Sequence, residues 1–374
     1  MKICVYTGSR AEYNLLQPLI NKLEADNFFK VTLYASGMHL SKLHGWTISE
    51  VTKNHKKVHF DETVVASDSA DSISKSTSLT IMSFSSFLKR NDFDLLIVLG
   101  DRYEAFAACI ASLFHNLPIA HLCGGESTEG LIDEAIRHSI TKMSHIHFVT
   151  NKQYAENVKN LKENKKNIFN VGSLGIENLK KMKLFSSEEC TKKIGLDIKN
   201  CYLVTYHPIT LSKQKPKIAD YVRSVMKLDS SANFIITYPN ADTHSSQIFN
   251  QLELLKKKYG SKIYLTHSLG QHLYFSCAKH CKGAFGNSSS GVIELPYLTN
   301  VINIGNRQKG RVSPSSVIDC KDEISDFNNS VKKLINRKHA NKESLYGDGK
   351  TSERILKILK RTNLEKILDK SIYS

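Results

Sequence analysis

No apolar run in the 374-residue chain approaches the roughly 20 residues that a membrane-spanning helix needs, so no membrane association is expected. The opening residues, "MKICVYTGSRAEY", enter a strand-like segment directly and lack the long apolar core and small-residue cleavage site of a signal peptide. A cytoplasmic protein is expected. Neither G-x-G-x-x-G nor the Walker spacing occurs, so a dinucleotide-dependent dehydrogenase and a P-loop ATPase have no motif here. Most of the eight cysteines, among them Cys4, Cys109, Cys123 and Cys201, sit singly inside apolar runs and behave as small hydrophobes of a reducing compartment. Cys277 and Cys281, with His280 between them, have helical spacing, but no second ligand pair follows at zinc-site spacing. No metal is expected. The formal charge of +16 invites a nucleic-acid reading, yet the lysines are scattered among Glu and Asp along helical faces and form no aromatic-interleaved basic strip. Their field serves a solvated surface or the capture of a small anionic substrate.

What is present is an alternation. Apolar residues make up 41% and charged residues 24%, and 374 residues exceed what one core usually organises, so two domains are expected. In the first half, "KICVYT", "KVTLYA", "KKVHF", "DLLIVLG", "LPIAHLC", "HIHFVT" and "NIFNVG" read as strands separated by amphipathic helical stretches. Past a polar, Lys-rich segment the alternation restarts with "CYLVTYH", "NFIITYP", "KIYLTH", "KGAFG", "VINIG" and "SVIDC". The expected architecture is α/β, with two Rossmann-type doubly wound parallel sheets facing a central cleft. One domain spans residues 1–175, the second 176–350, and a terminal helix over 351–374 crosses back to the first.

Ligands of open α/β sheets bind outside the carboxyl ends of the strands. The informative residues follow strands here: "TGSRAEY", "GDRYE", "CGGESTEGLIDEAIRHS", "YHP" and "NSSSGVIELP". "GNSSSG", Gly286 to Gly291, lies between a strand and a helix expected to start near Val292. Its small residues, hydroxyls and free N–H groups suit either a phosphate cradle or a polar helix-capping loop. Glu294 serves either ribose hydroxyls or the helix dipole.

Taken in order, "TGSRAEY", "LGDRYE", "GGE…DEAIRHSITKMSHIHF", "HP" after a strand, "YPNAD", "GNSSSG" and "IGNRQKGR" resemble the hydrolysing UDP-N-acetylglucosamine 2-epimerases of sialic-acid biosynthesis, from about residue 4 to residue 320. Each motif alone is weak; seven in register are specific. The resemblance implies a GT-B-like pair of Rossmann-type domains, a homodimer, no metal or nicotinamide, no nucleic-acid partner, and conversion of UDP-N-acetylglucosamine to N-acetylmannosamine and UDP. Family relatives hydrolyse a 2,4-diacetamido-2,4,6-trideoxyhexose nucleotide on the way to legionaminic acid. Carried over by residue, Arg10, Arg102, His207, Asn240, Ser288, Ser289, Ser290, Gly291, Glu294 and Arg307 would hold the nucleotide and its phosphates. Tyr274 would stack on uracil, although its helical spacing alone reads as core packing.

The implied reaction eliminates UDP across carbons 1 and 2 and hydrates the resulting glycal, so a carboxylate must take a proton while cations stabilise the leaving group. Asp101 is placed for the first task and Arg102 for the second; an Asp capping the next helix is the plain alternative. Asp133 is a second carboxylate, with Arg137 and His138 at helical spacings, and Asp133 with Arg137 also reads as a simple i,i+4 ion pair. Many family members carry an acid just before the glycine pair, where this chain has Cys123. Either Cys123 is a spectator and Glu126, with His121, assists the proton transfers, or the substrate differs from UDP-N-acetylglucosamine. A glycosyltransferase, a nucleotide-sugar sensor and a non-hydrolysing epimerase share the architecture; release of UDP and a reducing sugar from the nucleotide sugar alone separates the hydrolysing enzyme from all three.

Overall fold

The computed structural model describes residues 1–41, 46–65, 69–127, 132–208, 216–239, 245–337, 345–368 and 370. It divides into two compact units, each with its own parallel sheet. The first takes in Met1–Glu126, Ile132–Lys180 and Tyr346–Ser374, and the second is built on Lys181–Leu345.

In the first unit the strands are β1 (Lys2–Thr7), β2 (Lys30–Ala35), β3 (Val58–Phe60), β4 (Leu95–Leu99), β5 (Ile119–Leu122), β6 (Ile146–Val149) and β7 (Ile168–Asn170). They lie in the order β3-β2-β1-β4-β5-β6-β7, all parallel. The centre of the sheet is covered on both faces, so β4 reads "LLIVL", with every residue buried and no polar alternation. β1 sits between β2 and β4, in register Ile3↔Val31 and Ile3↔Leu95. The chain order reverses at β1/β4, which makes the two loops leaving their carboxyl ends the natural ligand position of this sheet.

The second unit repeats the plan with β8 (Cys201–Thr205), β9 (Asn233–Thr237), β10 (Ile263–Thr266), β11 (Gly283–Gly286), β12 (Val301–Ile304) and β13 (Val317–Cys320), in the order β10-β9-β8-β11-β12-β13. Its reversal lies at β8/β11.

The terminal helix is shorter than its sequence pattern suggests. It runs Thr351–Leu359 rather than on through Leu368, because the N–H groups of Arg361 and Thr362 turn back to Ile358 and Leu359 and the Asn363 side chain accepts from the Glu365 N–H. It still belongs to the first unit, where Ile355 and Leu359 enter one core with Leu16, Leu19 and Leu23 of helix Arg10–Glu24. Among the described residues no helix is long and apolar enough to cross a membrane.

Candidate functional site

At the β1/β4 reversal of the first unit three charged side chains meet. Arg102 meets Glu104 twice, Nε to Oε2 at 3.1 Å and Nη2 to Oε1 at 2.7 Å, a fork geometry that Lys cannot reproduce. Glu104 is fully buried, while Arg102 keeps part of its guanidinium exposed. Glu12, in the first turn of helix Arg10–Glu24 that follows β1, accepts the Gly8 N–H on Oε2 at 2.7 Å, and its Oε1 is buried without a hydrogen-bond partner. Burial pushes the Glu12 carboxyl up to about 7; Arg102 pulls it down and the negative charges of Glu104 and Asp101 push it further up. Arg10, at the start of the same helix, points to solvent and pairs with Glu50 at 3.3 Å.

Asp101 does not cap the following helix. The N-cap of Tyr103–Phe114 is Arg102, without a side-chain cap bond, and Asp101 instead accepts a short hydrogen bond from Arg137. Arg137 is only 2% exposed although its carboxylate partner is 29% exposed, so Asp101 is the member of the pair that faces solvent. The same guanidinium donates to the Glu126 carbonyl at 2.8 Å and to Glu134 Oε2 at 3.0 Å. Glu134 Oε1 lies 3.0 Å from His138 Nε2. Arg137 is thus the hub of helix Ile132–Met143, and the acids it meets include Asp101 and Glu134; Asp133, expected as its i,i+4 neighbour, sits on that helix one residue before Glu134. Glu126 is buried and accepts from the Thr150 hydroxyl at 3.2 Å.

His121, expected to assist Glu126 in the proton transfers, has a partner at each ring nitrogen. Its ring is fully buried, with Nε2 2.8 Å from the Gly100 carbonyl and Nδ1 3.2 Å from Thr141 Oγ1, and burial pushes it down to about 3. It is a neutral ring that holds the loop carrying Asp101. Cys123 follows β5 in a left-handed backbone conformation (φ 64°), half-buried against the apolar core. Its place in that packing leads us to expect that Cys123→Ser keeps turnover within about threefold. Steady-state assay decides this, since a thiol used as a base would lose turnover steeply.

At the β8/β11 reversal of the second unit, the expected helix after "GNSSSG" is a single turn, Ser290–Ile293, beginning two residues before Val292. Pro296 stops it, since a proline ring clashes with the carbonyl four residues back, and a 3₁₀ turn Leu295–Tyr297 follows. Ser289 precedes the turn without making a side-chain cap bond, so the capping explanation for this hydroxyl is not what the structure shows. Tyr274, with Thr205, Gly286, Ser288 and Gly291, lines one narrow cavity, and burial raises its phenol. Glu294 is half-buried at the junction of the two short turns. His207 is buried, and burial together with the Arg307 charge pushes it down to about 3, so its ring is neutral. Arg307 Nη1 donates to the Asn287 carbonyl at 3.1 Å. Asn240 lies outside the described residues.

The Cys277, His280 and Cys281 group is occupied elsewhere: His280 Nε2 meets the Phe185 carbonyl at 3.0 Å, Cys281 Sγ meets the Gly283 carbonyl at 3.2 Å, and Cys277 is buried.

Residues 21–360 match the family described as UDP-N-acetylglucosamine 2-epimerase. The chain belongs to that family. Among its epimerase-family relatives, a GDP/UDP-N,N'-diacetylbacillosamine 2-epimerase (hydrolyzing) of Campylobacter jejuni is 37% identical over 337 residues, 89% of this chain and 87% of the other. The polysialic acid biosynthesis protein P7 of Escherichia coli is 37% identical over 322 residues, covering 85% and 82%. In fold, the UDP-GlcNAc 2-epimerase of Neisseria meningitidis, solved bound to UDP-GlcNAc, superposes with a TM-score of 0.82 at 18% identity over 97% of this chain and 100% of that one. The two Rossmann-type units are therefore the GT-B-like pair of the epimerases.

Four residues of this epimerase-family chain escaped the sequence reading: Glu12, Glu104, Glu134 and Asn287. The first had a signal, because S-x-x-E at Ser9–Glu12 has capping-box spacing, and Ser9 does cap the helix. Glu12 departs from the box by reaching the N–H of Gly8 instead of Ser9.

Proposed function

We propose that this chain is a hydrolysing 2-epimerase that converts UDP-N-acetylglucosamine and water to N-acetylmannosamine and UDP. The observation that carries the reading is the family match over residues 21–360. The loops at the two sheet reversals support it by gathering the acids, arginines and hydroxyls such a reaction uses. Asp101, held by Arg137 and open to solvent, takes the proton from carbon 2. The electron pair left behind forms the carbon 1–carbon 2 double bond as the bond from carbon 1 to the diphosphate oxygen breaks. Arg102 and Arg10 stabilise the departing charge. Water then adds its oxygen to the glycal at carbon 1, and a proton returns to carbon 2 from the opposite face, with Asp133 and Glu126 as the further acids and Arg137 and His138 binding the substrate. The second unit holds UDP: Ser288, Ser289 and Ser290, with the Gly291 backbone, His207 and Arg307 on the phosphates, Asn240 and Glu294 on the nucleoside, and Tyr274 against uracil. Neither metal nor redox cofactor takes part. The enzyme works as a cytoplasmic homodimer that feeds sialic-acid-type nonulosonate synthesis.

A second reading, hydrolysis and inversion of a nucleotide-linked 2,4-diacetamido-2,4,6-trideoxyglucose for legionaminic acid, is favoured by the activity for which the Campylobacter relative is named. One experiment separates the two. Each nucleotide sugar is incubated in heavy water and the released sugar is weighed by mass spectrometry. One deuterium at carbon 2 of N-acetylmannosamine is the expected result. A product without deuterium sinks the elimination, and turnover of the diacetamido compound alone moves the chain to the second reading. For the nucleotide grip, Ser288→Ala with Ser289→Ala is expected to weaken UDP by about 1 to 3 kcal/mol by calorimetry, if each hydroxyl meets a phosphate oxygen. Unchanged affinity removes both hydroxyls from the site.

A further inference from the structure

Asn287 is fully buried and uses nearly everything an asparagine can offer. Its Oδ1 accepts the His207 N–H at 2.7 Å, and its Nδ2 donates to the His207 carbonyl at 2.8 Å. That reciprocal pair copies the bonding of adjacent strands one step past the end of the ladder, whose last β8/β11 pairing is Thr205↔Gly286. The main-chain N–H of Asn287 donates to the Thr205 carbonyl at 3.2 Å. Its carbonyl accepts twice from the loop that follows β12, from Arg307 Nη1 at 3.1 Å and from Gln308 Nε2 at 2.9 Å. Three loops, after β8, β11 and β12, therefore share one residue. Only an amide side chain places a donor and an acceptor side by side to read both His207 groups; Asp loses the donor, and Ser or Ala loses the reach.

The close fit begins one residue earlier. Gly286 has φ +149°, and a Cβ there would lie 1.9 Å from the Thr205 carbonyl oxygen, so the chain reaches Asn287 through a contact that no other residue tolerates. Arg307 is held by the Asn287 carbonyl, His207 by its side chain, and Ser288 by the peptide bond itself.

We propose that Asn287 is the positioning residue of the diphosphate site: it fixes the separation of His207, Ser288 and Arg307 and touches no part of the substrate. The inference rests on the nucleotide-holding role given to the second unit. Asn287 acts on groups that would meet phosphate, so its loss falls on UDP and leaves uridine, which lacks the diphosphate, unaffected. A collapse of the whole unit would weaken both alike.

The test titrates UDP and uridine separately into the full-length chain and its Asn287→Asp and Gln308→Leu variants, alongside steady-state kinetics. Asn287→Asp is expected to weaken UDP on the order of 10- to 100-fold and to raise KM by a similar factor, with uridine affinity and kcat within about threefold of wild type. Gln308→Leu removes one of the two bonds to the Asn287 carbonyl and leaves the His207 pair intact, so a several-fold loss confined to UDP is expected even where the Asn287 variant does not fold. UDP affinity unchanged in Gln308→Leu and in a folded Asn287→Asp overturns the proposal. So does an equal loss of UDP and uridine. A wild-type chain that binds no UDP overturns the proposed function and this role with it, whereas wild-type binding matched by both variants overturns the positioning role alone.

Discussion

Replacing Asp101 by Asn lowers turnover by on the order of a hundredfold or more while UDP binding survives. The substitution keeps the size of the side chain and leaves an oxygen that accepts from Arg137, so the buried guanidinium is not stranded; it also still donates to Glu134 and to the Glu126 carbonyl. What disappears is the capacity to take a proton. Arg137 itself is the less informative target, because removing a guanidinium that is 2% exposed uncovers Asp101 and Glu134 together and disturbs the helix that carries them. Single-turnover measurement beside UDP calorimetry separates the outcomes. Normal turnover retires Asp101 as an acid-base group, and simultaneous loss of UDP affinity assigns it to the fold.

The strands were legible because most of them are short, largely apolar segments with Gly, Pro or Asn at or near an end. "DLLIVLG" and "LPIAHLC" became β4 and β5 with only their flanking residues trimmed. The helix start at Ser9, whose hydroxyl accepts from the Glu12 N–H, was also present in the S-x-x-E spacing, although it went unread. The end of the short turn at Ile293 was written in Pro296. Partners across the fold carried no such signal. Arg137 lies 36 residues from Asp101, and Asn287 lies 80 residues from His207, so nothing in either spacing announces the bond. Helical spacing offers Asp133 at i,i+4 and Glu134 at i,i+3 to Arg137, whereas the bond to Asp101, in the loop after β4, has no local spacing to announce it. Glu104 lies only two residues from Arg102 and Glu12 has capping-box spacing, yet neither spacing announces a buried charge. An acid one turn into a helix reads as dipole compensation until its burial beside an arginine is seen.

Glu12→Gln is expected to make folding stability less sensitive to pH between 5 and 8, by about 2 to 3 kcal/mol relative to wild type. The carboxyl titrates near its usual 4.5 in the unfolded chain and at about 7 in the folded one, where burial dominates and Glu104 and Asp101 add to it. The unfolded chain therefore gives up its proton first as pH rises. Fewer protons on the unfolded state means that stability falls with pH, so the contribution is whole below about 4.5 and lost by the time pH has passed about 7. Above that point the folded protein carries the Glu12 and Glu104 charges against a single Arg102, with a buried Glu12 Oε1 that has no donor. Gln carries no charge at any of these pH values and still offers an oxygen to the Gly8 N–H. The neutral rings of His121 and His207 add a pH dependence of the opposite sign, losing stability as pH falls from their ordinary range towards about 3, but both are present in wild type and variant and cancel in the difference. Urea unfolding of the two proteins at pH 5 and pH 8 reads that difference directly. Parallel pH profiles would mean that Glu12 is already ionised in the folded chain at pH 5, and the uncharged carboxyl beside Arg102 would have to be abandoned.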